Sequence, residues 1–418
     1  MLIRLGLFNG GKWKKIWHDN LTPKSFGKLE HLRLDRCNGL SSIFPSNMVD
    51  RLQALMVMNI SHCDDLESII EPSGLPSTES SFKLVFSKVE ILLFESLSKL
   101  KSFHPSMHTT EWPSLEELVV TGCTSVKTFA SENLNSQLDE QPLFWFSKEA
   151  FPNLKKLRTD SDEEAKEILE LSNYVVLPSL KELQLSPFIK KSILPSDKLQ
   201  RLWHDQLPEM SCYFLNLKQL KLEGYNFLNY VFPSSVAENF VHLKGLLISD
   251  CDNVKEVIVM DNLEEEEGRV IKVFPRLKVM MLKRLPKLVT FCYGDHIEFP
   301  MLNGLAMLDC REFITFVSNS MIGNEPQVDL EVGRNNSKDD VLCLFNDKEA
   351  FPCLQKMKTD QDEAKEILEL TNSQGVRFIQ KEEEDSDFDF DIDSDIDLVD
   401  DDEQEEAEEE EEQEQERL

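Results

Sequence analysis

The residues that could do chemistry in this chain stand in a few arrangements, and each has a specific demand that the sequence meets or fails. Gly6 to Lys12 followed by Trp13 spells G-x-x-x-x-G-K-W. A phosphate-cradling loop of that spacing needs Ser or Thr after the lysine to hold magnesium, a strand before it and a helix after it. Trp13 has no hydroxyl, so no nucleotide is expected here. His104 and His108 stand four apart, the spacing at which two imidazoles share a helix face and a zinc ion. Pro105 between them opposes that helix. The carboxylates come in runs that water solvates, not as isolated acids in apolar surroundings, and no G-x-S-x-G nucleophile turn occurs. No catalytic residue, cofactor site or metal site is assigned, and the chain reads as a non-enzyme.

The nine cysteines point the same way. Cys37, Cys63, Cys123, Cys251 and Cys310 occupy one recurring position, and no C-x-x-C pair is present. An odd number without such pairs suits neither a disulfide framework nor a zinc site. One cysteine per unit at an inward position acts as a small buried hydrophobe. Free thiols fit the reducing cytoplasm, or the nucleus.

That recurring position belongs to a repeat. Phe26 to Pro45 places Leu29, Leu32, Leu34, Cys37, Leu40 and Ile43 at the spacing L-x-x-L-x-L-x-x-C-x-x-L-x-x-I. The L-x-L centre makes a short strand with Leu32 and Leu34 facing in and Arg33 facing out. A single unit cannot bury its own leucines, so units must stack. The expected fold is an α/β leucine-rich-repeat solenoid. It has a curved parallel sheet of about ten or eleven short strands and a mostly irregular or short-helical outer face. The first unit begins at Leu2, so the chain reads as the back part of something longer.

The units are themselves duplicated. Those on Cys37, Cys63, Leu97 and Cys123 are 26, 34 and 26 residues apart, and those on Tyr225, Cys251, Leu285 and Cys310 are 26, 34 and 25 apart. Phe345 to Leu370 repeats Phe146 to Leu171 with one deletion, offset by one added residue before KEAFP. The expected domains are one repeat block over 1–190, a second over 191–375, and an acidic disordered tail over 376–418. Ser161 to Leu171 reads as a capped short helix. Surface loops are expected at Glu71 to Ser81, Glu132 to Gln141, Asp261 to Arg269 and Met321 to Asp340. No counterpart of the strand at Leu180 is expected after Leu370.

Charge sharpens the picture of the partner. Of a net charge of -32, the segment from Lys381 to Leu418 contributes 23 acids against two basic residues. Neither this tail nor the mildly acidic body suits a phosphate backbone, so nucleic acid is not expected. No apolar run approaches the ~20 residues of a membrane span. The outward strand positions are the expected protein-binding face: His31, Arg33, Asp35, Arg36, Asn59, His62, Glu117, Lys156, Arg158, Lys221, Glu223, Lys283, Arg284, Lys356 and Lys358. Val57, Ser61, Val119, Thr121 and Gln219 lie in the same rows. The mix is polar with a cationic lean, and it favours a protein over a small molecule.

The irregular units, the lead-ins WPSL, FPNL and FPRL at Trp112, Phe151 and Phe274, and the pairs Trp17-His18 and Trp203-His204 resemble one family. It is the C-terminal leucine-rich-repeat region of plant intracellular disease-resistance proteins of the coiled-coil, nucleotide-binding, leucine-rich-repeat class. The resemblance implies a protein-recognition module in plant defence and innate immunity. Such a module senses a pathogen effector or a guarded host protein, here without the nucleotide-binding part. The tail suggests other partners. Ile396, Leu398 and Val399 before a run of aspartates are similar to a SUMO-interacting motif, which adds a strand to a sheet edge. The tail also suits an intramolecular screen over the cationic strands. A rival reading is an acidic leucine-rich nuclear protein that binds basic partners such as histones through that tail.

Overall fold

Leucines two apart that both face inward need a strand, and each such strand needs a neighbour on either side. The computed structural model describes residues 2–17, 26–45, 48, 51–71, 82–105, 108–126, 130–131, 143–145, 151–160, 177–186, 216–260, 271–293, 297–318, 351–359 and 377–379. Among them, thirteen strands form one parallel sheet, ordered in space as they are in the chain. The first copy supplies Arg4–Phe8, His31–Asp35, Val57–Ser61, Ile91–Glu95, Glu117–Thr121, Lys156–Thr159 and Glu182–Leu185. The second supplies Gln219–Glu223, Gly245–Ser249, Val279–Lys283, Gly304–Leu308 and Lys356–Thr359. Glu182–Leu185 pairs directly with Gln219–Glu223, so the two copies share one uninterrupted sheet.

The thirteenth strand, Arg377–Ile379, corrects the expectation that the sheet ends before it. It pairs with Lys356–Thr359. Pairing with the edge of that strand uses backbone amides and carbonyls, which requires no L-x-L pattern.

Register makes the core continuous. Leu32 stands opposite Met58, then Leu92 and Leu118, and further along Leu246, Met280 and Leu305 stand in line. All seven are buried in a single cluster that runs through the array. Cys37, Cys63, Cys123, Cys251 and Cys310 are buried beside it. Burial pushes the thiols of Cys63 and Cys251 up to about 12, which leaves them protonated and inert. They fill space.

Each five-residue strand of the sheet ends the same way. The next residue has a positive φ: Asn9, Arg36, His62, Ser96, Gly122, Gly224, Asp250, Arg284 and Asp309. The left-handed turn swings the chain out of the sheet and aims the amide at the following unit. Arg36 N–H bonds the Ser61 carbonyl at 3.1 Å, His62 that of Glu95 at 2.9 Å, and Arg284 that of Leu308 at 2.7 Å. Gly122 differs. Both carboxylate oxygens of Asp160 take its N–H, at 2.7 and 2.8 Å.

The outer side is more regular than an irregular or short-helical face. Among the described residues it carries one helix, Ser234–Ala237, and a second parallel sheet of Tyr230–Pro233, Glu256–Val259, Thr290–Tyr293 and Thr315–Ser318. Stacking at near-constant spacing brings these return segments into register, and extended backbone in register pairs. The expected helix at Ser161–Leu171, the pair Trp203-His204, nearly all of the expected loops and the acidic tail lie outside the described residues. Trp17 is buried, edge-on to Phe26 at 4.4 Å and stacked on Phe44 at 6.1 Å.

The second sheet encloses a carboxyl with a measurable consequence. Burial pushes Glu256 up to about 7 from an ordinary 4.5. A carboxyl that holds its proton more tightly when folded costs stability once ionised. The cost starts above pH 4.5 and is complete above about 7. A shift of this size corresponds to about 3 kcal/mol at most, and partial solvent access reduces it to about 1–2. Glu256→Gln is therefore expected to stabilise the protein at pH 8 and leave it nearly unchanged at pH 5. Denaturant melts at the two pH values check this, and an equal effect at both would exclude it.

Candidate functional site

The sheet face away from the core spans thirteen strands, and its residues align in rows across them. One row runs His31, Val57, Ile91, Glu117, Lys156, Glu182, Gln219, Gly245, Val279, Gly304 and Lys356. The next runs Arg33, Asn59, Leu93, Val119, Arg158, Gln184, Lys221, Leu247, Met281, Ala306 and Lys358 through the same pairings. Stacking thus brings thirteen short stretches, far apart in sequence, onto one surface.

The composition of that surface differs from the expected polar face. In the second copy Leu247 and Met281 pack around Val279 in an apolar cluster separate from the main core. Ala306 is buried beside Met281 in the row, and Leu308 extends the apolar surface. In the first copy Val57, Ile91, Leu93 and Val119 hold neighbouring places in the two rows. Val119 is buried and the other three are half-buried. Each copy therefore presents an apolar pad, and both centre on the corresponding unit, Ile91–Glu95 in one and Val279–Lys283 in the other.

These pads are what a reading of the repeat template passes over. The template assigns every x position to solvent, and a strand with one wet face should alternate. ILLF at Ile91, VMML at Val279 and GLAML at Gly304 break that alternation. The broken alternation was the available signal.

Between the pads lies a charged saddle. Lys156 pairs with Glu182 at 2.8 Å, Arg158 is exposed and Lys221 is half-exposed. Glu117 and Glu223 flank this stretch, both half-exposed. Gln219 is a correction: it is buried, not presented. Beyond the second pad, Lys283 and Lys358 have no ion pair among the described residues, and Lys356 is exposed on the same strand as Lys358.

At the opposite end of the sheet, Arg33 lies over the ring of Phe8, 5.7 Å from its centre, and His31 and Asn59 are half-buried. Ser61 is buried rather than presented. Arg36, His62 and Arg284 are a second correction. They occupy the positive-φ turn after the strand, so they stand on the rim and not on the sheet. There Arg36 and Arg284 form ion pairs, and His62 makes a hydrogen bond. Asp35 Oδ1 lies 3.1 Å from both Ser61 Oγ and His62 Nδ1, and its Oδ2 accepts from Arg36 at 2.8 Å. Burial pushes the Asp35 carboxyl up, but the bonds from His62 and Ser61 and the Arg36 charge leave it below the usual range. Arg284 grips Asp250 in the equivalent place, Nε to Oδ1 at 2.6 Å.

The chemistry-bearing arrangements resolve into packing. Gly6 lies within the strand Arg4–Phe8, and Lys12 is exposed in the turn after it. A Cβ on Gly10 would stand 2.3 Å from the Trp13 ring, and one on Gly39 2.2 Å from the Trp13 carbonyl. Those glycines let the first two units close on each other. His104 is buried and His108 opens the strand His108–Glu111 on the outer side. No described group of three or more His, Cys, Asp or Glu could hold a metal ion, and no described helix is long and apolar enough to cross a membrane. The tail motif at Ile396, Leu398 and Val399 lies outside the described residues.

Comparison with known families adds one result. A family model described as plant disease resistance protein RPS2-like, leucine-rich repeats, matches residues 3–140 and 188–327. The two segments cover about two thirds of the chain. No curated protein matches.

Proposed function

The chain belongs to the leucine-rich repeats of RPS2-like plant disease resistance proteins, which serve recognition in defence, and on that premise we propose that its sheet face is a non-catalytic docking surface. Its ligand is a folded protein, a pathogen effector or a host protein that an effector has altered. The observation that carries the reading is the pair of apolar pads on the sheet face. Partly exposed apolar side chains rimmed by charge mark protein interaction sites. The pads are six strand spacings apart, roughly 29 Å along the sheet. A small molecule cannot bridge that length, and a globular partner can. The charged saddle between them would set orientation and on-rate more than affinity. A cytoplasmic or nuclear setting fits this reading, as do the free buried cysteines.

The test uses proximity labelling in leaves with and without pathogen challenge. Leu93→Glu together with Met281→Glu puts a carboxylate at the centre of each pad, where burial of an unpaired charge is costly. Proteins labelled by the unmodified chain should fall about ten-fold in the variant, because one lost contact of this kind is about 1.4 kcal/mol or more. The far-UV spectrum should remain unchanged. Lys99→Glu, on the turn side and exposed, serves as control. If labelling survives the pad variant and falls with the control, recognition lies on another face.

A further inference from the structure

The second pad has a chemistry that one segment of this same chain complements. Leu247, Val279 and Met281 form its apolar floor. Lys283 ends the central strand, and Lys356 and Lys358 stand two strands away, across Gly304–Leu308. Lys283 and Lys358 are not held by any carboxylate among the described residues. The acid in the same row is Glu223, two strands from Lys283, and the rim acids Asp250 and Asp309 lie toward Arg284, which engages Asp250. An apolar strip framed by cations fits an extended segment that alternates acids with large apolar residues.

Asp385 to Asp402 reads DSDFDFDIDSDIDLVDDD. Phe388, Phe390, Ile392 and Ile396 each lie between two aspartates. Extended, such a segment lays its apolar side chains on the pad and turns its carboxylates to the other side, where the long lysine side chains at the pad's edge can reach up to them. We propose that Asp385–Asp402 docks on the second apolar pad of its own chain, with Lys283, Lys356 and Lys358 holding its aspartates.

The path is short enough. The sheet ends at Arg377–Ile379, bonded to Lys356–Thr359. The pad's central strand is three strand spacings from that end, about 14 Å. Ile379 and Phe388 are nine residues apart in the chain, which can span up to about 30 Å. The end strand therefore delivers the acidic segment to the side of the pad where the cations stand. Docking uses the face assigned to partner recognition but needs no external partner. Where both occur, the partner must displace the segment.

The experiment is carbodiimide coupling of the full chain in dilute solution, read by mass spectrometry. Coupling of carboxylates in 385–402 to Lys283, Lys356 and Lys358 is expected, unchanged by dilution and therefore within one molecule. It should fall about five-fold in ~0.5 M salt, which screens exposed charge. It should fall about as much in Leu247→Ser with Met281→Ser, which leaves every charge in place but removes the apolar floor. Phe388→Ser, Phe390→Ser and Ile392→Ser together should give the same loss without touching the folded body. Coupling spread evenly onto Lys99 and Lys101 on the turn side would overturn the proposal. So would coupling that survives the serine variants. Absent coupling combined with partner labelling that still depends on Met281 would remove the tail contact alone and leave partner recognition standing.

Discussion

Trp112→Ala is expected to lower the stability of the first copy by about 3–5 kcal/mol, the range for deleting a large buried aromatic ring. Trp112 is fully buried and stacks on Phe86 with ring centres 4.3 Å apart and planes 9° from parallel. Phe103 meets it edge-on at 5.3 Å and 89°, and Phe86 and Phe103 meet edge-on at 5.4 Å. The three rings form a closed triangle, so no neighbour can move into the vacated volume without losing a contact of its own. The residue is also the lead-in to its unit, and Leu115 N–H bonds its carbonyl at 3.2 Å.

Because each unit touches only its neighbours, the damage should stay local. Hydrogen exchange should accelerate in Ile91–Glu95 and Glu117–Thr121 and remain unchanged in Gly304–Leu308. In the second copy Phe299 holds a similar place, edge-on to Phe291 at 5.1 Å and stacked on Phe351 at 5.1 Å. Phe299→Ala should show the mirror pattern. Uniform acceleration across both copies would mean that the array unfolds as one unit.

Gly122→Ala is the second large effect, expected at about 2–3 kcal/mol, with two physical causes. Alanine at φ 68° is in the left-handed region, which costs about 1 kcal/mol for a residue with a Cβ. Eight other strand ends take a positive φ, and seven of those residues carry a side chain, so the backbone strain alone is tolerable. Steric contact weighs more. A Cβ on Gly122 would stand 2.9 Å from both Cα and N of Ser96, backbone atoms that cannot rotate away. Overpacking of this kind costs about 1–3 kcal/mol.

Relief by moving residue 122 would break the two bonds from its N–H to Asp160. That carboxyl is already pushed up to about 6 by burial, and Gly122 N–H and the Arg158 charge counter the rise. Gly11→Ala is the control, because a Cβ there meets nothing within 4 Å. Denaturant melts of the two variants should differ by most of the predicted loss. If Gly11→Ala costs as much, the close approach to Ser96 is not the cause.

Trp112 and Gly122 also mark what can be read without a structure. The tryptophan opens a WPSL lead-in, and its burial follows from the unit pattern alone. The glycine follows from nothing local, since Arg36, His62 and Arg284 hold the equivalent place in other units. Its identity depends on how closely Ser96, 26 residues earlier in the chain, approaches it. The same distinction separates the two faces of the sheet. Leu32, Leu34 and Cys37 return in each unit at the same spacing and meet their own kind in the next unit. An inward position therefore has the same surroundings whichever unit carries it, and repetition along the chain is enough to identify the repeat class, the duplication and the core.

The outward face has no such redundancy. Whether Leu93 or Met281 is wet depends on the residues one strand to either side, which lie 25 to 34 positions away. Reading each x position as solvent found Arg33, Lys156 and Lys221. It missed both pads and misjudged Gln219 and Ser61. The turn geometry that carries Arg36, His62 and Arg284 from the sheet to its rim is likewise a property of backbone torsion, not of residue type. Composition and period thus determine that this chain stacks into a leucine-rich array with one broad outward face. Only the registered stacking of distant strands decides where that face is apolar, because side-chain burial there is set by neighbours the linear order keeps apart.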